Sequence, residues 1–136
     1  MMQTLFNQLT TQPRVLFATD GIGALVSALL LWLLLGSMPQ LFGMPVHIVQ
    51  PLALPAAGFA VYSLTCSLLN VKSPGLLMLI ALLNTMYCVA TALLCIKYCN
   101  ALTALGLAYF AGEILIILTL VYVEVKAAQQ LKEKNK

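Results

Sequence analysis

Charge is what this chain has least of. Only 8% of its 136 residues are Asp, Glu, Lys or Arg, against about 25% in an ordinary soluble domain, and that scarcity excludes a water-facing globular surface. It argues against nucleic-acid binding as well. The net charge of +3 comes mostly from lysines near the end of the sequence, where a few cations meet anionic headgroups rather than a phosphate backbone. Histidine and tryptophan occur once each. No Gly-rich phosphate loop, nucleophile motif or zinc-ligand spacing is present. The four cysteines, Cys66, Cys88, Cys95 and Cys99, form no C-x-x-C pair, and an i, i+4 pair on a helix is poor disulfide geometry. They read as small apolar residues. Met38, Met44 and His47 could hold a soft metal such as Cu(I), but three flexible loop ligands without a repeat are more simply a loop with an interfacial histidine. The expectation is therefore of no enzyme, no cofactor and no metal.

Apolar residues make up 62% of the chain, and the mean hydropathy is +0.99. Dividing the sequence at its charges and prolines leaves four apolar runs, 15–35, 46–69, 76–96 and 101–123, each close to the roughly 20 residues that cross a bilayer as a helix. The fold class expected is all-α, a four-transmembrane-helix antiparallel bundle with short loops, forming a single integral membrane domain over 1–136 with a cytoplasmic tail, 124–136, that continues as a frayed polar helix. The first run follows Arg14 but exceeds a signal-peptide core in length, and no A-x-A site follows it, so it is read as a retained span. Arg14, Lys72, Lys126, Lys132, Lys134 and Lys136 fall on one side and Lys97 alone on the other, which predicts cytoplasmic termini. A bacterial inner membrane is the expected location and the lipid bilayer the first partner. Over 1–13, Met1, Met2, Leu5, Phe6 and Leu9 share one helical face, the pattern of a short interfacial helix.

In the first span, Asp20, Gly23, Ala24 and Ser27 share a face, where small residues let a neighbouring backbone come close. Residues 29–35 read as lipid-facing. The loop GSMPQLFGMP carries no charge and should lie in the interface or fold over the mouth of the bundle. In the second span, His47, Pro51, Pro55 and Phe59 stand at i, i+4 spacing, and prolines free carbonyls in the preceding turn, making that face a candidate cavity lining together with Thr91. Ser73 and Pro74 have the pattern of a helix start. The third span carries a stripe of Asn84, Cys88, Thr91 and Cys95. The fourth has a small-residue ridge, Ala104, Ala108 and Gly112, with Tyr109 one turn before Glu113.

A carboxylate at lipid depth costs roughly 2.5–3.5 kcal/mol on insertion scales. Holding a Glu neutral at pH 7 costs about as much, roughly 3.7 kcal/mol from an ordinary pKa near 4.3, so a solute, a cation or a second acid can tip the balance. Depth counted at about 1.5 Å per residue puts Glu113 and Asn84 near the centre, where they should meet. It puts Asp20, Tyr62 and Ser63 a little to the cytoplasmic side. The candidate proton, cation or substrate site is Asp20, Glu113, Asn84, Tyr62, Ser63 and Tyr109, while Glu124 beside Lys126 reads as a solvated helix end.

The string Asp20-Gly21-x-Gly23-Ala24, with Gly43-Met44-Pro45, Tyr62-Ser63, Asn84, Glu113 and Glu124, resembles a group of small bacterial four-span membrane proteins without an assigned activity. The resemblance covers the whole chain and implies a fold only. In size and span count the chain is also similar to small multidrug-resistance transporters, which use one membrane-embedded Glu in the first helix. Here the first helix carries Asp20 in DGIG and the central Glu lies in the fourth, so that family is not assigned. Two functions fit the pattern. One is a proton- or cation-linked carrier or channel for a small solute or cation. The other is an accessory, scaffold or lipid-binding subunit using the small-residue ridges to meet a partner membrane protein or a second copy.

Overall fold

A computed structural model of the chain describes residues 3, 4, 7 and 11–134. The face expected for an interfacial helix rests on Met1, Met2, Leu5, Phe6 and Leu9, which lie outside the described residues. Helix α1 (Pro13–Leu29) runs on into a π-helical segment, Leu30–Leu35, and a short α2 (Pro39–Phe42) follows. Three long helices complete the chain: α3 (Val46–Leu68), α4 (Pro74–Lys97) and α5 (Ala104–Lys134). No strand occurs among the described residues. Four helices, Pro13–Leu35, α3, α4 and α5, are long and apolar enough to cross a membrane. The protein is an all-α four-helix bundle.

Local chemistry sets each helix boundary. Pro13 opens α1, where a missing N–H costs nothing. Asn70, at φ 54°, takes the left-handed conformation just past α3. The Ser73 hydroxyl then accepts from the Leu76 N–H at 3.4 Å, with Pro74 in the first helical position. Thr103 does two things: its Oγ1 accepts from the Gly106 N–H at 3.0 Å to cap α5, and it donates to the Leu41 carbonyl at 2.6 Å. That second bond ties the α1–α3 loop to the α4–α5 turn. Gly43, at φ 85°, sits where any side chain would collide with the backbone of 101–103, so the two loops close on each other at a position only glycine fits.

The loop does fold over the bundle mouth. Phe42 and Met44 are buried with Leu31, Leu35, Val49 and Phe110 in one apolar core at that end. This corrects the expectation for 29–35: only part of that segment faces lipid, with Trp32 and Leu33 exposed, while Leu31 and Leu35 are wholly buried. At the opposite end Leu16 and Phe17 pack with Leu77, Ile80, Val123 and Ala127 in a second core. There the tail continues α5 as a helix, as expected, but with one face buried. Helix α5 continues unbroken to Lys134, and its Val123, Glu124, Ala127 and Ala128 form an inward stripe. Close packing is strongest within the hairpins, α1 on α3 and α4 on α5; α1 barely meets α5. Between the two apolar ends lies a polar middle.

Glycines separate tight contacts from open ones. A Cβ on Gly21 would stand 2.7 Å from Leu64 Cγ, and one on Gly106 would strike the Phe42 carbonyl, whereas Gly23 and Gly112 have nothing within 4 Å. Within this chain no neighbouring backbone comes close at Gly23 or Gly112, and the close glycines are Gly21 and Gly106. Gly21→Ala and Gly106→Ala should each lower stability in detergent by about 1–3 kcal/mol through overpacking. Gly23→Ala and Gly112→Ala should be neutral or stabilising by up to about 1 kcal/mol; thermal or SDS-induced unfolding of the four variants checks the contrast.

Candidate functional site

Three carboxyl groups are buried in the polar middle: Asp20 at 4% exposure, Glu113 at 7% and Glu124 at 0%. Asp20 is held from two sides. Ser63 Oγ on α3 donates to its Oδ2 at 2.6 Å, and Asn84 Nδ2 on α4 donates to its Oδ1 at 3.0 Å. The same Asn84 nitrogen lies 3.3 Å from Glu124 Oε1 on α5. One amide group therefore bridges two acids from different helices, using both of its N–H bonds. All four helices contribute to this cluster.

Glu113 belongs to a second group. Its Oε1 accepts from the Tyr87 hydroxyl at 2.8 Å, while Oε2 makes no hydrogen bond. Ser27 and Tyr109 approach the same carboxyl without reaching hydrogen-bonding geometry, and the Tyr109 hydroxyl is likewise unpaired. Tyr109 stands edge-on to Phe42 and Phe110, with ring centroids 6.1 and 5.2 Å away. Asn84 and Tyr87 sit three residues apart, within a single turn of α4, so that one helix holds both acid groups in place.

Both groups open on one cavity of about 460 Å³. Helix α1 lines it with Asp20, Gly23, Ala24 and Ser27, and α5 with Tyr109, Gly112, Glu113 and Ile116. Phe59 and Ala56 come from α3, Asn84 and Tyr87 from α4. The volume is that of a small-molecule site, within the usual range of roughly 300–1,000 Å³. Gly23 and Gly112 explain its shape: the absence of side chains there leaves the space empty.

No family model, curated protein or solved structure matches this chain. The chemistry of the site is therefore read from its geometry.

Of the residues proposed from sequence, Asp20, Ser63 and Asn84 meet in one hydrogen-bonded cluster, and Glu113 and Tyr109 line the same cavity. Asn84 does not bond Glu113. The depth count took the fourth span as 101–123, but α5 runs from Ala104 to Lys134, which sets Glu113 toward one end and brings Glu124 opposite Asn84. Glu124, read as solvated, is wholly buried. Tyr62 is displaced from the cluster as well: its hydroxyl donates to the Leu76 carbonyl at 2.9 Å, bracing α3 against the start of α4. His47, Pro51 and Pro55 are exposed on α3 and do not line the cavity. The buried face of α3 runs instead through Val49, Leu52, Ala53, Ala56, Ala60 and Ser63, so the proline ladder, which needs no donor inward, turns outward. Thr91 is fully buried, its hydroxyl unpaired, and also outside the cavity lining.

Two residues of the site were not assigned to it from the sequence. Tyr87 lies three positions beyond Asn84, on the same helical face. Glu124 is flanked by the pair Ala127 and Ala128, whose small apolar side chains in a polar stretch mark a packed surface.

The chemical capacity of the cluster follows from its partners, which are a serine, an amide and a phenol, all neutral. Two carboxylates on one amide repel each other when both are ionised, so a proton or a cation between them relieves the pair. Asn84→Leu removes the shared donor and should cost about 1–3 kcal/mol for the acid left unsatisfied. Adding Glu124→Leu should recover part of that loss, and a double-mutant cycle on unfolding in detergent measures the coupling.

Proposed function

We propose that this protein is a proton- or cation-linked carrier or channel for a small solute. The observation that carries the reading is the meeting of Asp20, through Asn84, and Glu113, through Tyr87, on one cavity at lipid depth, with neutral partners around every buried acid. Glue alone is a weak reason to keep three carboxyl groups there, because interhelical polar contacts in membranes are worth only about 0.6 kcal/mol on average. In this mechanism Glu113, whose Oε2 is unpaired inside the cavity wall, exchanges a proton with the bound solute. The Asp20–Asn84–Glu124 cluster takes or releases the proton toward the end of the bundle that carries Arg14 and Lys72. Tyr87 and Ser63 hold the carboxyl groups in register. Ser27 and Tyr109 are the hydroxyl groups that a solute would meet beside Glu113.

A second reading is favoured by a different observation. The small residues Gly23 and Gly112 are uncovered, and α1 and α5 stand apart, so a helix of a partner membrane protein or of a second copy could fill the gap. The chain would then be an accessory or scaffold subunit, and the acids would fix helix register. A stoichiometric partner on purification, together with full function of Glu113→Gln, favours this reading over transport.

The location we propose is a bacterial inner membrane with cytoplasmic termini, on the lysine and arginine bias. Cys99 is exposed beside Lys97 at the far end of α4, while Cys66 and Cys88 are buried. A membrane-impermeant maleimide should therefore label Cys99 from outside spheroplasts and leave a C-terminal tag inaccessible; the opposite pattern reverses the topology. For transport, proteoliposomes under an imposed pH gradient should show solute-dependent proton movement. Glu113→Gln, which keeps an oxygen acceptor for Tyr87, should abolish that movement without changing the unfolding temperature.

A further inference from the structure

The cavity is chemically divided, and that division specifies a ligand. Its walls are mostly apolar, with Phe59 and Ile116 on facing helices, and the rings of Phe59, Tyr87 and Tyr109 crowd one region of it. Phe59 and Tyr87 meet edge to face with centroids 6.0 Å apart. The polar groups set into these walls are carboxyls, hydroxyls and the Asn84 amide, and no Lys or Arg takes part in the lining. Glu113 is more than nine-tenths buried, and its Oε2 is without a partner. A buried acceptor without a donor is costly, and a ligand that brings an N–H or a positive charge to that oxygen supplies the partner that the neighbouring Ser27 and Tyr109 hydroxyls do not reach. An anion or a sugar fits poorly: the first meets carboxyl groups, and the second meets apolar walls that satisfy none of its hydroxyls.

We infer that the cavity binds a monovalent organic cation with an apolar or aromatic body, an alkyl- or arylammonium, seated with its cationic head between Glu113 and the aromatic rings. Aromatic faces attract an ammonium head at distances within about 6 Å, and carboxylate attraction adds to it. The body of the ligand lies along the small-residue gap between α1 and α5, where Gly23 and Gly112 leave open space. That gap also gives the way in. Val26 and Ile116 on its rim are exposed at 49% and 64%, on helix faces that meet lipid, so an amphiphilic cation dissolved in the bilayer reaches the cavity sideways. Binding balances with one proton: a cation that arrives at protonated Glu113 leaves a Glu113 carboxylate paired with the ammonium and releases one H⁺ to solvent. This inference rests on the carrier reading for its role in transport, but not for binding itself.

The test uses the full chain in detergent with benzyltriethylammonium, whose charge is permanent, so that any proton released comes from the protein. Equilibrium dialysis should show saturable binding that weakens about tenfold or more in Glu113→Gln, the loss expected for a charged partner. It should weaken similarly in Gly112→Leu, which fills the cavity where an added side chain meets nothing. Tetramethylammonium, lacking the apolar body, and the neutral carbon isostere, lacking the charge, should both bind more weakly, and a pH indicator should register close to one proton per bound cation. Equal binding of the neutral isostere, or unchanged binding in both variants, overturns the inference. Liposome flux separates it from the carrier reading. Binding as described without proton-driven flux defeats the carrier and leaves the ligand class standing. Proton-coupled flux of another solute, abolished in Glu113→Gln and indifferent to benzyltriethylammonium, defeats the ligand class and leaves the carrier.

Discussion

The bridging amide of Asn84 is the interaction on which the middle of this protein depends. In a bilayer, helices gain nothing from burying apolar side chains against one another rather than against lipid, so shape and hydrogen bonding must supply the specificity of packing. Asn84 does this for three helices at once, holding Asp20 of α1 and Glu124 of α5 from its place on α4, while Ser63 brings in α3. Remove that residue and two carboxyl groups lose the donor they share. The hairpins, each closely packed within itself, would then be joined chiefly by the apolar cores at their ends.

This arrangement also explains why a cavity exists. Bundles usually close over polar groups because small residues draw backbones together. Here the tight glycines, Gly21 and Gly106, sit against Leu64 and Phe42, while Gly23 and Gly112 face empty space. The π-helical segment at the end of the first span fits the same picture. It begins at Leu30, the last cavity-lining residue of that helix, and a wider helical turn there redirects Leu31 and Leu35 into the core beneath the loop. Such segments recur at functional sites in helical proteins.

How much of this was legible in the sequence depended on which physical signal carried it. Span number, the Ser73-Pro74 helix start and the inward placement of Asp20, Asn84 and Glu113 followed from hydropathy, capping chemistry and the cost of charge in lipid, all local or compositional properties. Partner assignments depended on axial register, and register was lost at one point. Lys126 suggests that Glu124 is a solvated helix end, yet on the continuing helix Glu124, Ala127 and Ala128 turn inward while the lysines stay exposed on the outer face. A long cationic side chain can reach water from below the surface, so a lysine dates the boundary poorly. The proline ladder of His47, Pro51 and Pro55 misled for a related reason: freed carbonyls can line a cavity, but a proline face that offers no donors is equally at home against lipid.

Asp20 and Glu113 differ in how fully their oxygens are paired, and Glu124 stands between them, one oxygen on Asn84 and the other, Oε2, unpaired and away from the cavity lining. A register-fixing acid is expected to be saturated, since every unmet hydrogen bond in the interior weakens the reason for its presence. Asp20 behaves that way, with a donor on each oxygen. Glu113 does not: one oxygen is tied to Tyr87, and the other is left bare beside the bare hydroxyl of Tyr109 at the edge of an open volume. Two adjacent unsatisfied groups face the same space, and the proposed proton or ligand site rests on that geometry. Asp20 is the saturated part of the polar middle and Glu113 the part with an oxygen unpaired beside the cavity, and Asn84 and Tyr87, three residues apart on α4, hold the two in register.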